Sequence, residues 1–302
     1  MSRFSIGVLL VLAMSGAGAQ LPAAQGWQLG ARYWLSSGTT VRSHNAQGFD
    51  PSLGNPTSVL TYESLDAHAV ELHARRDFGE RWFVRGNAGL GWIRNGSLDD
   101  EDFFAGQAKF SDSTSAVKGN RLAYATIDIG RDVWTVGSST TIGLFAGYHY
   151  WTERLDAFGA SFTVGTGDIG DSVPVITNEV TWHSLRLGVA ANARFSPRTR
   201  LAVDLAWVPY ARVRDEDSHH LRTSPSDLGP TPNIIMDGHG SGVQLEVELR
   251  HIIKESWELG VGLRHWWLRS TSGNRLAAGT SLPLVELESQ RSGLTLSVTR
   301  RW

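Results

Sequence analysis

From Trp27 to the carboxy terminus, apolar and polar residues alternate along segments of roughly ten residues. The clearest is Val243-Gln-Leu-Glu-Val-Glu-Leu-Arg250. Val243, Leu245, Val247 and Leu249 share one face, and Gln244, Glu246, Glu248 and Arg250 share the other. A repeat of two predicts a strand. A soluble sandwich has no use for this strand, because one face is charged and the other wholly apolar. A membrane barrel with a wet lumen accommodates both. The pattern recurs. Leu259, Val261 and Leu263 alternate with polar positions that include Glu258 and Arg264. Leu201, Val203, Leu205 and Trp207 flank Asp204, and Leu185, Leu187, Val189 and Ala191 flank Arg186. The chain closes on Leu294-Thr-Leu-Ser-Val-Thr-Arg-Arg-Trp302, an alternating strand ending in an aromatic, as the closing strand of an outer-membrane barrel does. Strand two, Tyr62 to Arg76, is the least regular, with its apolar parity switching near Ala69.

The connections between these segments are unequal. Short turns fall at 77–81, 137–140, 196–199 and 254–256, and long loops near 43–57, 96–120, 159–178, 215–241 and 271–290. Four short turns and five long loops predict a ten-stranded antiparallel transmembrane β-barrel with both termini on the short-turn, periplasmic side. Asp128, Asp204, Glu246, Glu248, Arg250, Glu258 and Arg264 are expected in the lumen, paired with one another, since unpaired buried charges cost several kcal/mol.

Composition adds the compartment. Met1-Ser-Arg3 is basic, Phe4 to Met14 is apolar, and Ala17-Gly-Ala19 has small residues suited to cleavage. The apolar run is shorter than the ~20 residues a helix needs to span a bilayer, so residues 1–19 are expected to be a signal peptide and 20–302 a single barrel domain. Cysteine is absent, which excludes disulfides and thiolate metal sites. The formal net charge of −2 makes no case for nucleic acid. Twelve tryptophans fit aromatic girdles at the membrane interfaces.

Two extracellular segments carry candidate chemistry. Leu98-Asp-Asp-Glu-Asp-Phe103 follows the third predicted strand, and Arg214-Asp-Glu-Asp-Ser-His-His220 follows the seventh, on the opposite wall. An Asp two residues from a His on an extended segment points to the same side. Asp217 can therefore orient His219 and stabilise its charged form, and the imidazole can take a proton from water. Asp100 and Asp102 opposite can hold that water. The plain alternative is a solvated acidic loop. His219-His220 without a third spaced ligand makes no metal site, and no metal or cofactor is expected. Strict alternation from Leu201 and from Val84 turns both clusters toward lipid. One-residue bulges at Pro209 and Gly96 are expected to restore their inward direction.

These motifs resemble the omptins, outer-membrane aspartyl-type endopeptidases of Gram-negative bacteria. Asp100-Glu-Asp102-Phe103 is similar to the family's Asp-x-Asp-aromatic motif, and Asp215-Glu-Asp217-Ser-His219 to its Asp-x-Asp-x-His motif. Asn120 to Ala125 and Gly143 to Tyr148 are similar to its intervening strands. The resemblance implies a ten-stranded barrel at the cell surface. It implies Asp100, Asp102, Asp217 and His219 as catalytic residues, and Asp215 as an acidic wall for a basic substrate side chain. It also implies peptide or protein substrates, and lipopolysaccharide as activator and lipid partner, with Arg154 in the lipid contact. Two positions depart from the family. The second pocket acid has no counterpart near Val41, and the segment near Thr181 lacks a lipid-binding arginine. The alternative is a catalytically inactive barrel of this kind acting as a surface binding protein or adhesin. A third reading, lipid-A modification through His251 or His265, has only their lipid-side parity in its favour.

Overall fold

The computed structural model describes residues 26–302; the expected signal peptide lies outside them. Eleven strands follow one another: β1 (Gly26–His44), β2 (Ser58–Phe78), β3 (Trp82–Phe104), β4 (Ala108–Val117), β5 (Asn120–Val136), β6 (Thr140–Val164), β7 (Ile169–Arg194), β8 (Thr199–His219), β9 (Ile234–Lys254), β10 (Trp257–Ala277) and β11 (Thr280–Arg301). Each pairs antiparallel with its neighbours, and β1 closes on β11. β4 and β5 are two halves of one wall strand. Asn120 pairs with Ile93 and Val117 with Gly96 in one unbroken register, interrupted only at Lys118-Gly119. Gly119 takes φ +72°, a value that favours glycine. The barrel therefore has ten walls, as the alternation predicts, and β3 and β8, four walls apart one way and six the other, lie on roughly opposite sides.

Most strands are longer than the alternation indicates, up to 26 residues in β7. A tilted transmembrane strand needs only ~9–11, so the barrel stands well above the membrane. The expected long loops are largely hairpin strands. The connections shrink to 45–57, 105–107, 165–168, 220–233 and 278–279. Above the membrane no face must be apolar, so the repeat of two fades there although the backbone ladder continues.

Exposure follows the predicted parity lower down. Leu259, Val261, Leu263, Leu294 and Leu296 face out. The seven expected lumen charges are all paired, but only Glu246 with Arg264 and Glu248 with Arg250 pair within the set; Asp128, Asp204 and Glu258 take other arginines. Arg85 bonds Asp128 at 3.0 Å and also holds Asp204; Arg264 reaches Glu246 at 2.9 Å. Glu248 takes Arg250 at 2.6 Å and Arg32 at 3.3 Å, and Glu258 takes Arg301 at 3.0 Å. Each buried charge thus has the counter-charge it requires.

Tryptophan use differs from the expectation. Trp27, Trp82, Trp92, Trp134, Trp207, Trp257 and Trp302 are exposed on the outside, but Trp34, Trp151, Trp182 and Trp266 are buried inside. Trp266 meets Trp34 (centroids 4.7 Å apart), Tyr124 (5.0 Å) and His149 (4.5 Å), and the Arg264 guanidinium lies 4.9 Å from the Trp34 ring. This layer plugs the lumen. Edge-to-face packing and cation–π contact favour it, and it floors the cleft above.

Parity reverses near the outer membrane boundary on several walls. In β8 the register shifts between Val208 and Ala211, so Trp207 faces out while Ala211, Val213 and Asp215 face in. Pro209 sits in that bulge, where the sequence reading placed it. On β3 the switch falls at Arg94-Asn95, both exposed, immediately before Gly96. Its partner irregularity on β2 is at Ser64, which has φ +52°. The parity switch of β2 is therefore there, and not near Ala69. β10 shifts between Ser270 and Ser272. A bulge re-aims every side chain beyond it.

Candidate active site

The bulges determine what faces the upper cleft. Beyond Pro209, β8 turns Asp215, Asp217 and His219 inward. Beyond Gly96, β3 turns Leu98, Asp100 and Asp102 inward. Asp100, Asp102, Asp217 and His219 all line one cleft, open to solvent at the top.

His219 Nε2 lies 3.0 Å from Asp217 Oδ2. The loop after β8 fixes the backbone of His219. Its amide donates to Asn233 Oδ1 at 2.9 Å, and Asn233 Nδ2 donates back to its carbonyl at 3.2 Å. Asp217 is nearly inaccessible, at 1 % exposure. Burial by itself would raise its pKa, but Arg42 and His219 together hold it below the usual carboxylate range. Arg42 Nη2 is 3.1 Å from Asp217 Oδ1, a charge contact without hydrogen-bond alignment, since Oδ1 receives no donor. Opposite, burial lifts Asp100 to about 7, and the neighbouring Asp102 adds to the rise. Burial raises Asp102 as well. One proton shared by this pair near neutrality follows from two carboxylates withdrawn from water side by side.

Arg42 was missed by the sequence reading, which stopped at its neighbour Val41. It is fully buried, and Nη1 donates to Asp215 Oδ2 at 2.8 Å while Nη2 donates to the Tyr62 hydroxyl at 3.1 Å. Asn178 donates to the other Asp215 oxygen. Asp215, read from the resemblance as an open acidic pocket wall, has zero exposure and both oxygens engaged. An arginine on β1 where a second acid was sought draws Asp215 into an internal ion pair. The alternation Gln28, Arg32, Trp34, Thr40, Arg42 on β1 runs without a bulge and was the available signal. His44, Arg222 and Arg275 also line the cleft. Burial, with Arg275 and Arg42 close by, pushes His44 down to about 3, so it is neutral.

Arg154 is outside the cleft. It faces outward on β6, beside Arg121 on β5, and is 3.3 Å from Asp156. Thr181, where a lipid-binding arginine was sought, shares a 3.0 Å hydroxyl contact with Thr152. His265 is on the outer face and bonds Ser292 at 2.7 Å, with no carboxylate partner.

The class defined by this architecture is a ten-stranded outer-membrane β-barrel with a plugged lumen and an open upper cleft. No known protein family and no curated protein sequence matches the chain. Among solved structures, it is similar to the outer membrane protease OmpT from Escherichia coli, with a TM-score of 0.73 and 15% identity over 94% of this chain and 99% of that one. The translocator domain of the autotransporter NalP from Neisseria meningitidis aligns at a TM-score of 0.41 and 9% identity, over 92% of this chain and 89% of that one. The chain thus has the barrel fold of an omptin.

Proposed function

We propose that this protein is an outer-membrane endopeptidase of omptin type, its cleft facing the cell exterior. The observation that carries the reading is the Asp217–His219 pair at 3.0 Å on β8, set in one cleft with Asp100 and Asp102 of the opposite wall. A water between the walls has a base on one side and a carboxylate pair sharing a proton on the other. His219 takes a proton from that water as its oxygen attacks the peptide carbonyl carbon. The resulting imidazolium is stabilised by Asp217. The protonated member of the Asp100/Asp102 pair donates a hydrogen bond to the carbonyl oxygen as it gains charge. Proton return from His219 to the leaving amine breaks the C–N bond and restores the neutral imidazole. Arg42 keeps Asp217 ionised and therefore able to hold the imidazolium.

Lipopolysaccharide is the proposed lipid partner and activator. Arg121 and Arg154 lie side by side on the outer face above the exposed Ile127 and Ile129 of β5 and Leu144 of β6, where phosphate groups of an outer leaflet would meet them. The test uses refolded protein with and without lipopolysaccharide, incubated with a fluorogenic peptide library. Turnover that disappears in His219→Ala and Asp217→Asn supports the protease. A folded barrel that cuts no peptide in either condition refutes it and leaves the surface-binding role.

A further inference from the structure

The charges of the cleft do not balance evenly. Arg42 is spent on Asp215 and Asp217. Arg222 is spent on Asp227, with bonds of 2.7 and 3.0 Å. Arg275 has no hydrogen bond or ion pair to any described side chain, and its Nε is buried without a partner. The β10 bulge between Ser270 and Ser272 is what brings it in. Below the bulge Arg264, Trp266 and Leu268 face the lumen, and beyond it Ala277 does, with Arg275 on the same parity. Gly273 at φ +151° lies against the Asp237 carbonyl and permits this turn. Across the sheet, Arg275 pairs in register with Met236 and Leu282, both cleft-lining. Met236 in turn pairs with Asp215. The side chain is half-buried, and a buried guanidinium N–H short of a partner is costly unless something in use satisfies it.

The carboxylates offer no matching site for a cation. Asp215 is inaccessible and paired, Asp217 is held by Arg42 and His219, and the Asp100/Asp102 pair retains a proton near neutrality. Resting on the protease reading, we propose that Arg275 is a substrate-binding residue that receives a carboxylate of the bound peptide, so that the cleft selects acidic over basic residues beside the cut bond. The apolar side chains of Met236 and Leu282 flank the methylenes of a Glu or Asp, while the guanidinium fork takes the carboxylate. The same chemistry would accept a free peptide carboxy terminus.

The test measures binding separately from cleavage. Full-length His219→Ala barrel in detergent with lipopolysaccharide is titrated with fluorescent peptides identical except for a central Glu, Gln or Lys, each with a free or an amidated carboxy terminus. Fluorescence anisotropy reads the affinity. The Glu peptide is expected to bind roughly 10- to 100-fold more tightly than its Gln twin, the range of one charge-assisted hydrogen-bonded contact. Adding Arg275→Gln should erase that difference, with the unfolding midpoint of the barrel unchanged. If amidation rather than Glu→Gln removes the affinity, the carboxylate is the terminal one and the subsite still stands. Tighter binding of the Lys peptide overturns the proposal, as does a Glu preference that survives Arg275→Gln or a lack of binding by every peptide. Arg275-dependent binding of Glu peptides by a wild-type barrel that cuts none of them would retain the subsite and reject the protease.

Discussion

Replacing Arg42 by methionine tests the electrostatic core of the site. Arg42 contacts two carboxylates at 2.8 and 3.1 Å and donates to Tyr62 at 3.1 Å, and neither it nor Asp215 is exposed at all. Methionine fills much of the same volume but leaves Asp215 with only Asn178 and Asp217 with only His219. Removing one partner of a buried pair typically costs ~3–5 kcal/mol, since the remaining charge is stranded. Here two carboxylates are stranded, but the cleft above admits water, so the lower half of that range is expected. Asp215→Asn in the same chain removes one stranded charge and keeps the amide bonding of Asn178 available. It should restore ~1–3 kcal/mol, the usual coupling between neighbours in one network. Urea midpoints in detergent micelles, followed by the fluorescence of buried Trp34, Trp151, Trp182 and Trp266, give both numbers. An Arg42→Met barrel within ~0.5 kcal/mol of wild type, the scale of a surface change, would refute the reasoning. So would an Asp215→Asn effect that is the same with and without Arg42.

Other expectations concern the two walls of the proposed site and their framework. His219→Ala should lower peptide turnover by ~10²–10⁴-fold, the usual contribution of a general base, and Asp217→Asn should lower it in the same assay; an unchanged rate in either removes that residue from the mechanism. Asp100 has its folded pKa raised from 3.8 to about 7, so its contribution to stability is full below 3.8 and is lost as pH rises to 7. Asp100→Asn should therefore stabilise the barrel progressively from pH 4 to pH 7 and then level off, and a pH-independent difference in midpoint would show that the group is not so shifted. The same titration should make wild-type turnover fall above pH 7 as the shared proton is lost, a limb that a pH–rate profile either displays or lacks. Deleting Pro209 removes the extra residue of the β8 bulge and turns Asp215, Asp217 and His219 to the outside. Turnover should vanish and barrel assembly, read by heat-modifiable gel mobility, should become inefficient. Retained activity would mean that the bulge does not aim the site.

Within the membrane the sequence by itself was nearly sufficient. A lipid-facing side chain must be apolar and a lumen-facing one here is charged, so a repeat of two along Val243–Arg250 or Leu294–Trp302 fixes strand, face and barrel together. The ten walls, the common side of both termini and the inward charges were legible for that reason. The motifs Asp100-Glu-Asp102 and Asp215-Glu-Asp217-Ser-His219 were legible too, because an i, i+2 pair on extended chain shares a side wherever the strand points. Which side they shared depended on single extra residues at Pro209 and at Arg94-Asn95, which alternation can only infer. Tertiary structure decided the rest. Above the membrane both faces of a strand are polar, so strand length left no pattern, and loops of twenty residues became hairpins. Four tryptophans went to the lumen because ten strands enclose room for side chains. The fate of Asp215 was also beyond the sequence. Its charge is cancelled by Arg42, 173 residues away along the chain, and only closure of the barrel brings β1 and β8 to face each other.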